Sequence, residues 1–178
     1  MSTVKLHDKE FQTLISNDAI LARIKELAED IKKTKFEKTP LLIAVLNGSF
    51  RFVADLVQQI EFPVQVEFVK LESYRRMKSS GKVNLYSNFG FDVRDQEVII
   101  IEDIVDTGNT LDFLVPLLKA DEPSSLRIAT LLHKPNSYLA DFKLDFVGFE
   151  IEDEFVVGYG LDYEDLGREL NDIYQLRN

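Results

Sequence analysis

An α/β fold, a central parallel sheet with helices on both faces, is what this sequence predicts, and three observations predict it. The runs 41–46, 98–101 and 126–132 are apolar, of strand length and without polar alternation, as strands buried on both faces of a parallel sheet read. Two of them break at turns of small residues, Asn47-Gly48-Ser49 and Thr107-Gly108-Asn109-Thr110, and then continue at helical spacing. The chain of 178 residues suits a single domain, able to bury roughly 70% of its unfolded surface.

The elements follow in order. Val4 to Leu14 reads as an extended lead-in. Ser16 or Asn17 can cap a helix whose stripe is Ile20, Leu21, Ile24, Leu27, Ala28 and Ile31, with charged residues opposite. The first buried strand, 41–46, turns at Gly48 into a helix carrying Phe52, Val53, Leu56, Val57 and Ile60. After Pro63, the stretch 64–71 alternates as a strand near a sheet edge, with Val64, Val66 and Phe68 inward.

Ser73 to Lys82 carries four cationic side chains, Arg75, Arg76, Lys78 and Lys82, in an otherwise acidic protein. It reads either as a solvated hairpin tip or as a lid whose charges approach a bound polyanion and whose closure excludes water. Val83 to Phe91 is expected to return antiparallel. The central strand leads into a helix with Leu111, Phe113, Leu114, Leu117 and Leu118. The third buried strand ends at His133-Lys134-Pro135, where Lys134 is either a solvated lysine before a turn or a cation meeting a ligand's carbonyl or phosphate. Phe146 to Ile151 is a short strand, and Phe155 to Tyr163 precedes an acidic closing helix with Arg168. Phe155 is either core or an edge aromatic able to stack on a base.

Composition narrows the classes. A net charge of −10 argues against a nucleic-acid partner bound through phosphates. The chain has no cysteine, so disulfide and thiolate chemistry are out. No apolar run has the length of a signal peptide core or a membrane span, which leads to the expectation of a soluble cytoplasmic protein.

The chemistry concentrates in residues 98–110. Two carboxylates, Glu102 and Asp103, end the strand, and a third, Asp106, follows. The ligand crevice of an open α/β sheet lies at such a strand end. The loop after it lets successive backbone N–H groups point at an anion: Gly108 permits close approach, Thr107 and Thr110 add hydroxyls, and the helix dipole favours negative charge. It is not a Walker A loop, since no Gly-Lys-Ser/Thr follows. Carboxylates beside an anion cradle are reconciled if they bind sugar hydroxyls, a Mg²⁺ ion or a mobile proton. A phosphorylated sugar fits both halves.

Glu102-Asp103 followed by Asp106-Thr107-Gly108 resembles the phosphoribosyl diphosphate (PRPP) signature of type I phosphoribosyltransferases. Four further matches in order extend the resemblance, over nearly the whole length, to hypoxanthine-guanine phosphoribosyltransferases. Leu46-Asn47-Gly48 is similar to that family's pyrophosphate loop, where a cis peptide is typical. Ser73-Tyr74 resembles the start of its flexible catalytic loop, and Lys134 its lysine for the purine 6-oxo group. Phe155-Val156, with Asp162 and Arg168, resembles the segment that stacks on the base, binds a second Mg²⁺ and touches pyrophosphate.

The resemblance implies a purine salvage enzyme that moves the 5-phosphoribosyl group from PRPP to hypoxanthine, and to guanine, releasing pyrophosphate. It implies that Asp106, Thr107, Gly108, Asn109 and Thr110 cradle the 5′-phosphate and that Asp106 takes the purine's imidazole proton. Glu102 and Asp103 would hold the ribose hydroxyls, partly through Mg²⁺, with Asp162 as a further metal ligand. Since consecutive strand residues face opposite ways, both can serve only if the strand is already ending there. Asn47, Gly48 and Arg168 would meet pyrophosphate; Lys134, Phe155, Val156 and Asp162 would meet the purine. Mg²⁺ suits such a site, being held by few carboxylates plus substrate phosphates. The fold implied is that of type I phosphoribosyltransferases, one domain over 1–178. Its core spans about 39–132, with a small hood from the lead-in and from about 133–178. A homodimer or homotetramer is the family expectation.

Two positions depart from the family pattern. Asn47 stands where many relatives carry lysine or arginine, and Asn109 where some carry lysine, so the phosphate cradle relies more on backbone N–H groups. A xanthine-preferring sibling enzyme remains an alternative, as does a non-catalytic PRPP-binding regulator, which should show a basic nucleic-acid face.

Overall fold

The central sheet is built on the apolar runs. In the computed structural model, which describes residues 2–71 and 90–177, five parallel strands lie in the order β4-β3-β5-β6-β7. They are β3 (Leu41–Leu46), β4 (Gln65–Lys70), β5 (Glu97–Val105), β6 (Ser125–His133) and β7 (Phe146–Glu150). Helices α1 (Asn17–Lys32) and α2 (Phe50–Gln59) cover one face, and α3 (Asn109–Ala120) the other.

Strand β5 shows why. Its side chains alternate, so Ile99 and Ile101 enter the core with Ile20, Ile24, Phe52 and Leu56, while Val98 and Ile100 enter the core with Leu111 and Leu114. These four strand residues are fully buried. Each contributes about 1.5–3 kcal/mol relative to exposure. Beyond Ile101 the pairing with β3 stops, while that with β6 continues through Glu102↔Thr130, Ile104↔Leu132 and Val105↔His133. The end of β5 therefore projects past β3 and opens a crevice at the carboxyl edge of the sheet.

A second, antiparallel sheet has the order β1-β2-β9-β8. It joins β1 (Thr3–Leu6) and β2 (Lys9–Ile15) to β8 (Val156–Val157) and β9 (Ile173–Leu176), around Leu6, Phe11, Val157 and Tyr174. On the core, Arg23 of α1 donates from Nε to the Gly148 carbonyl (2.8 Å) and from Nη2 to the Val147 carbonyl (2.9 Å), tying α1 to β7.

Several expectations are corrected. The lead-in is a hairpin rather than one extended segment. Leu21 lies outside the buried stripe of α1, and Phe68 is half exposed, with Val69 the buried residue of β4. Strand β7 joins the core sheet, although it falls in the stretch assigned to the hood. No helix follows Tyr163 among the described residues. Left-handed backbone at Glu164, Asp165 and Gly167 breaks the acidic stretch into turns before β9. Ser73, Tyr74, the cationic stretch through Lys82 and the return strand as far as residue 89 lie outside the described residues. No described helix is long and apolar enough to cross a membrane.

Candidate active site

The loop between β5 and α3 is built for close approach. Gly108 precedes the helix in the left-handed region (φ 89°), which a side chain adopts only with strain. A Cβ there would also stand 2.8 Å from the Tyr138 ring. No described side chain caps α3, so its first-turn N–H groups remain available to a ligand. A cavity of about 240 Å³ opens here, lined by Glu102, Asp106, Thr107, Asn109 and Thr110 among others. Tyr138 and Ala140 back this loop, and the Leu139 N–H donates to the Thr107 carbonyl at 3.1 Å. The sequence carried no signal for that support beyond a proline turn.

Glu102 and Asp103 are brought to the crevice, but not side by side. Strand β5 continues to Val105 instead of ending at the carboxylates, so the two face opposite ways. Glu102 faces the cavity of the anion loop and is buried, and its Oε1 has no hydrogen-bond partner among the described residues. Burial, and then the neighbouring charge of Asp103, push its carboxyl well above the usual range. Asp103 points to the other side, where its carboxylate occupies the space that a Cβ on Gly48 would take. Burial raises its pKa to about 6, opposed by backbone N–H groups and by Arg168.

These carboxylates fit Mg²⁺. Both are oxygen donors whose burial raises their pKa values, and the orphaned Oε1 of Glu102 is an oxygen that a cation would satisfy. No group of three or more acidic, histidine or cysteine side chains converges as a cage among the described residues. Mg²⁺ is commonly held by one or two carboxylates, with water and substrate phosphate completing its shell.

On the Asp103 side, the Leu46–Asn47 peptide is cis, Asn47 is exposed and Gly48 is buried. The Ser49 hydroxyl donates to the Val45 carbonyl at 2.6 Å and fixes the start of α2. The turn at Gly160 lies against this loop so closely that a Cβ there would overlap the Gly48 carbonyl oxygen. Arg168 donates from Nη1 to the Gly160 carbonyl (2.7 Å) and pairs through Nη2 with Asp162 (2.6 Å). The second Asp162 oxygen accepts from the Asp165 N–H at 2.9 Å. A metal ion at Asp162 would have to compete with both donors.

On the Asp106 side, Lys134 is buried with 7% exposure, and its Nζ lies 3.1 Å from Asp106 Oδ2. The Lys134 N–H donates to the Val105 carbonyl at 3.0 Å, which holds the lysine beside the anion loop. Phe155 is half exposed, edge-on to Tyr163 at 5.8 Å, with Phe11 at 6.3 Å and Lys9 Nζ 5.7 Å from its ring centroid. The adjacent Val156 is buried in β8. The crevice thus has an anion loop, two divided carboxylates and an ammonium–carboxylate pair, while the contacts of Phe155 are with Phe11, Tyr163 and Lys9.

A family model described as the phosphoribosyl transferase domain matches residues 12–164. The chain is 42% identical over 165 residues to the hypoxanthine-guanine phosphoribosyltransferase of Bacillus subtilis, covering 92% of this chain and 91% of that protein. It is 43% identical over 161 residues to the hypoxanthine phosphoribosyltransferase of Haemophilus influenzae, covering 88% and 90%. A crystal structure of a hypoxanthine-guanine phosphoribosyltransferase from Bacillus anthracis superposes with a TM-score of 0.84 at 38% identity, covering 93% of this chain and 98% of that one. The hypoxanthine phosphoribosyltransferase of Trypanosoma cruzi superposes with a TM-score of 0.82 at 36% identity, covering 93% and 96%. With the crevice and these matches in agreement, the chain belongs to the phosphoribosyl transferase family, on its hypoxanthine-guanine phosphoribosyltransferase branch.

Proposed function

We propose that the protein transfers the 5-phosphoribosyl group of PRPP to hypoxanthine and guanine, yielding the nucleoside monophosphate and pyrophosphate. The observation that carries the reading is the Lys134–Asp106 pair at 3.1 Å beside the anion loop. It sets one donor next to one acceptor. A 6-oxopurine presents the complement, a carbonyl oxygen beside an imidazole nitrogen that bears a proton.

The chain's residues divide the work. The backbone N–H groups of the loop from Asp106 to Thr110 hold the 5′-phosphate, Glu102 beside them holds the ribose hydroxyls, and Asp103 faces the Gly48 side, where pyrophosphate binds. The bond from the anomeric carbon to pyrophosphate breaks as the bond to the purine's imidazole ring forms. Asp106 accepts the imidazole proton, or holds it by a hydrogen bond. Lys134 donates to the 6-oxo oxygen, so an amine at that position meets an ammonium and adenine is disfavoured. Phe155 stacks on the base. Glu102 and Asp103 would each hold Mg²⁺ from its own side of the strand, and Mg²⁺ when bound neutralises charge growing on the pyrophosphate. Arg168 and the Gly48 loop bind the pyrophosphate. Two or four copies are expected to assemble, as the family resemblance implies.

The test is a radiolabelled-base assay with PRPP and Mg²⁺ across hypoxanthine, guanine, xanthine and adenine. Hypoxanthine and guanine should be converted and adenine should not. Adenine as the best substrate, or no transfer to any of the four bases, would overturn the reading.

A further inference from the structure

We infer that Arg51 and Asp55 of α2 are positioning residues that set the pyrophosphate arm through Tyr159, an inference that rests on the phosphoribosyl-transfer reading above. Helix α2 begins at Phe50, directly after the Gly48 loop. Residues 51 and 55 lie one turn apart and share a face of that helix. Both reach the segment that carries Asp162 and Arg168.

Tyr159 is the hinge of this contact. It is 1% exposed, and its hydroxyl donates to the Asp55 carboxylate. The Arg51 guanidinium lies 4.7 Å from the centroid of the Tyr159 ring. Arg51 Nη1 also donates to the carbonyls of Leu170 (2.7 Å) and Glu169 (3.2 Å), and its Nη2 to Asn171 Oδ1 (3.0 Å). The Leu170 carbonyl accepts a second bond, from the Tyr159 N–H at 2.8 Å. Arg51 and Tyr159 thus grip one backbone oxygen, two residues beyond Arg168.

The grip has a direct geometric readout at the site. The Gly160 N–H donates to the Arg168 carbonyl (3.1 Å), and the Gly160 carbonyl accepts from the Arg168 guanidinium (2.7 Å). Tyr159 itself sits at φ 50°, a left-handed conformation that a bulky residue keeps only when its surroundings impose it. Burial and the Asp55 hydrogen bond both raise its phenol pKa, so the hydroxyl remains a donor. Since Arg51 and Asp55 ride on the helix that the Gly48 loop starts, the two walls of the pyrophosphate subsite are held in one register.

A purely structural role for these residues would lower stability and the active fraction while leaving affinities alone. The clamp predicts the opposite pattern. Tyr159→Phe, Asp55→Ala and Arg51→Met should each weaken calorimetric binding of magnesium pyrophosphate, and raise KM for PRPP, about tenfold, as loss of a hydrogen bond to a charged group does. In the same variants kcat and KM for hypoxanthine should stay within about twofold of wild type. Asp55→Asn keeps an acceptor for the Tyr159 hydroxyl and should restore pyrophosphate affinity. Unchanged pyrophosphate affinity in both Tyr159→Phe and Asp55→Ala, with only a lower Tm, would overturn the clamp. A wild-type protein that binds pyrophosphate yet transfers no phosphoribosyl group would instead overturn the functional reading. Failure of the wild type to bind pyrophosphate would overturn both.

Discussion

The carboxylate of Asp103 fills the space beside Gly48 where any side chain would begin. Gly48 is therefore required for its missing Cβ, with no demand on its backbone conformation. Gly48→Ala should push Asp103 out of place and reduce kcat/KM for PRPP about tenfold to a hundredfold, the range that overpacking of a close contact costs. Steady-state titration in PRPP checks it, and a variant as active as wild type would show that Asp103 need not sit there.

Removing the proton acceptor should separate chemistry from binding. Asp106→Asn keeps the shape of the loop and should cut turnover by about 10²–10⁴-fold, the usual worth of general-base catalysis. Calorimetric affinity for PRPP should survive. Turnover near the wild-type rate would remove Asp106 from that role.

Lys134→Met tests base selection. The lysine is nearly inaccessible and its side chain's described polar contact is with Asp106, so a methionine of similar length should fit without collapse. The ratio of hypoxanthine to adenine use should fall about tenfold or more, while KM for PRPP changes little. An unaltered ratio would place purine selection elsewhere.

The two strand-end carboxyls make a pH prediction for protein stripped of metal. Both hold protons more tightly when folded, Asp103 with a pKa of about 6, mainly through burial. Their contribution to stability is complete below the unfolded carboxylate range, near pH 4, and is lost as pH rises through the folded values. A Glu102→Gln, Asp103→Asn double variant should therefore gain on wild type between about pH 4 and pH 6, on the order of 2 kcal/mol. Denaturant midpoints across that range supply the comparison, and parallel curves would contradict it.

Much of this was legible in the sequence, for identifiable reasons. The run from Val98 to Ile101 reads as a central strand because burial on both faces removes polar alternation, and the structure pairs it on both sides. The loop 106–110 reads as an anion cradle because its residue types have few other uses together. Other features depended on distant contacts. Arg51 and Asp55 look like ordinary polar positions on a helix, and Tyr159 like core, until the chain folds back from residue 170. The closing stretch from Glu164 looked helical by its charges, yet left-handed residues and Gly167 turn it into loops. Glu102 and Asp103 can act together only where their strand ends, whereas an unbroken strand assigns them to separate sides.

The link from Arg23 to β7 has an effect on association. A strand at the rim of a sheet can recruit a strand from another molecule through its unused carbonyls. At Val147 and Gly148 those acceptors already belong to a guanidinium from α1. Strand addition at that point of the flank must displace the guanidinium, so undocking of the first helix would free acceptors that a foreign strand could use.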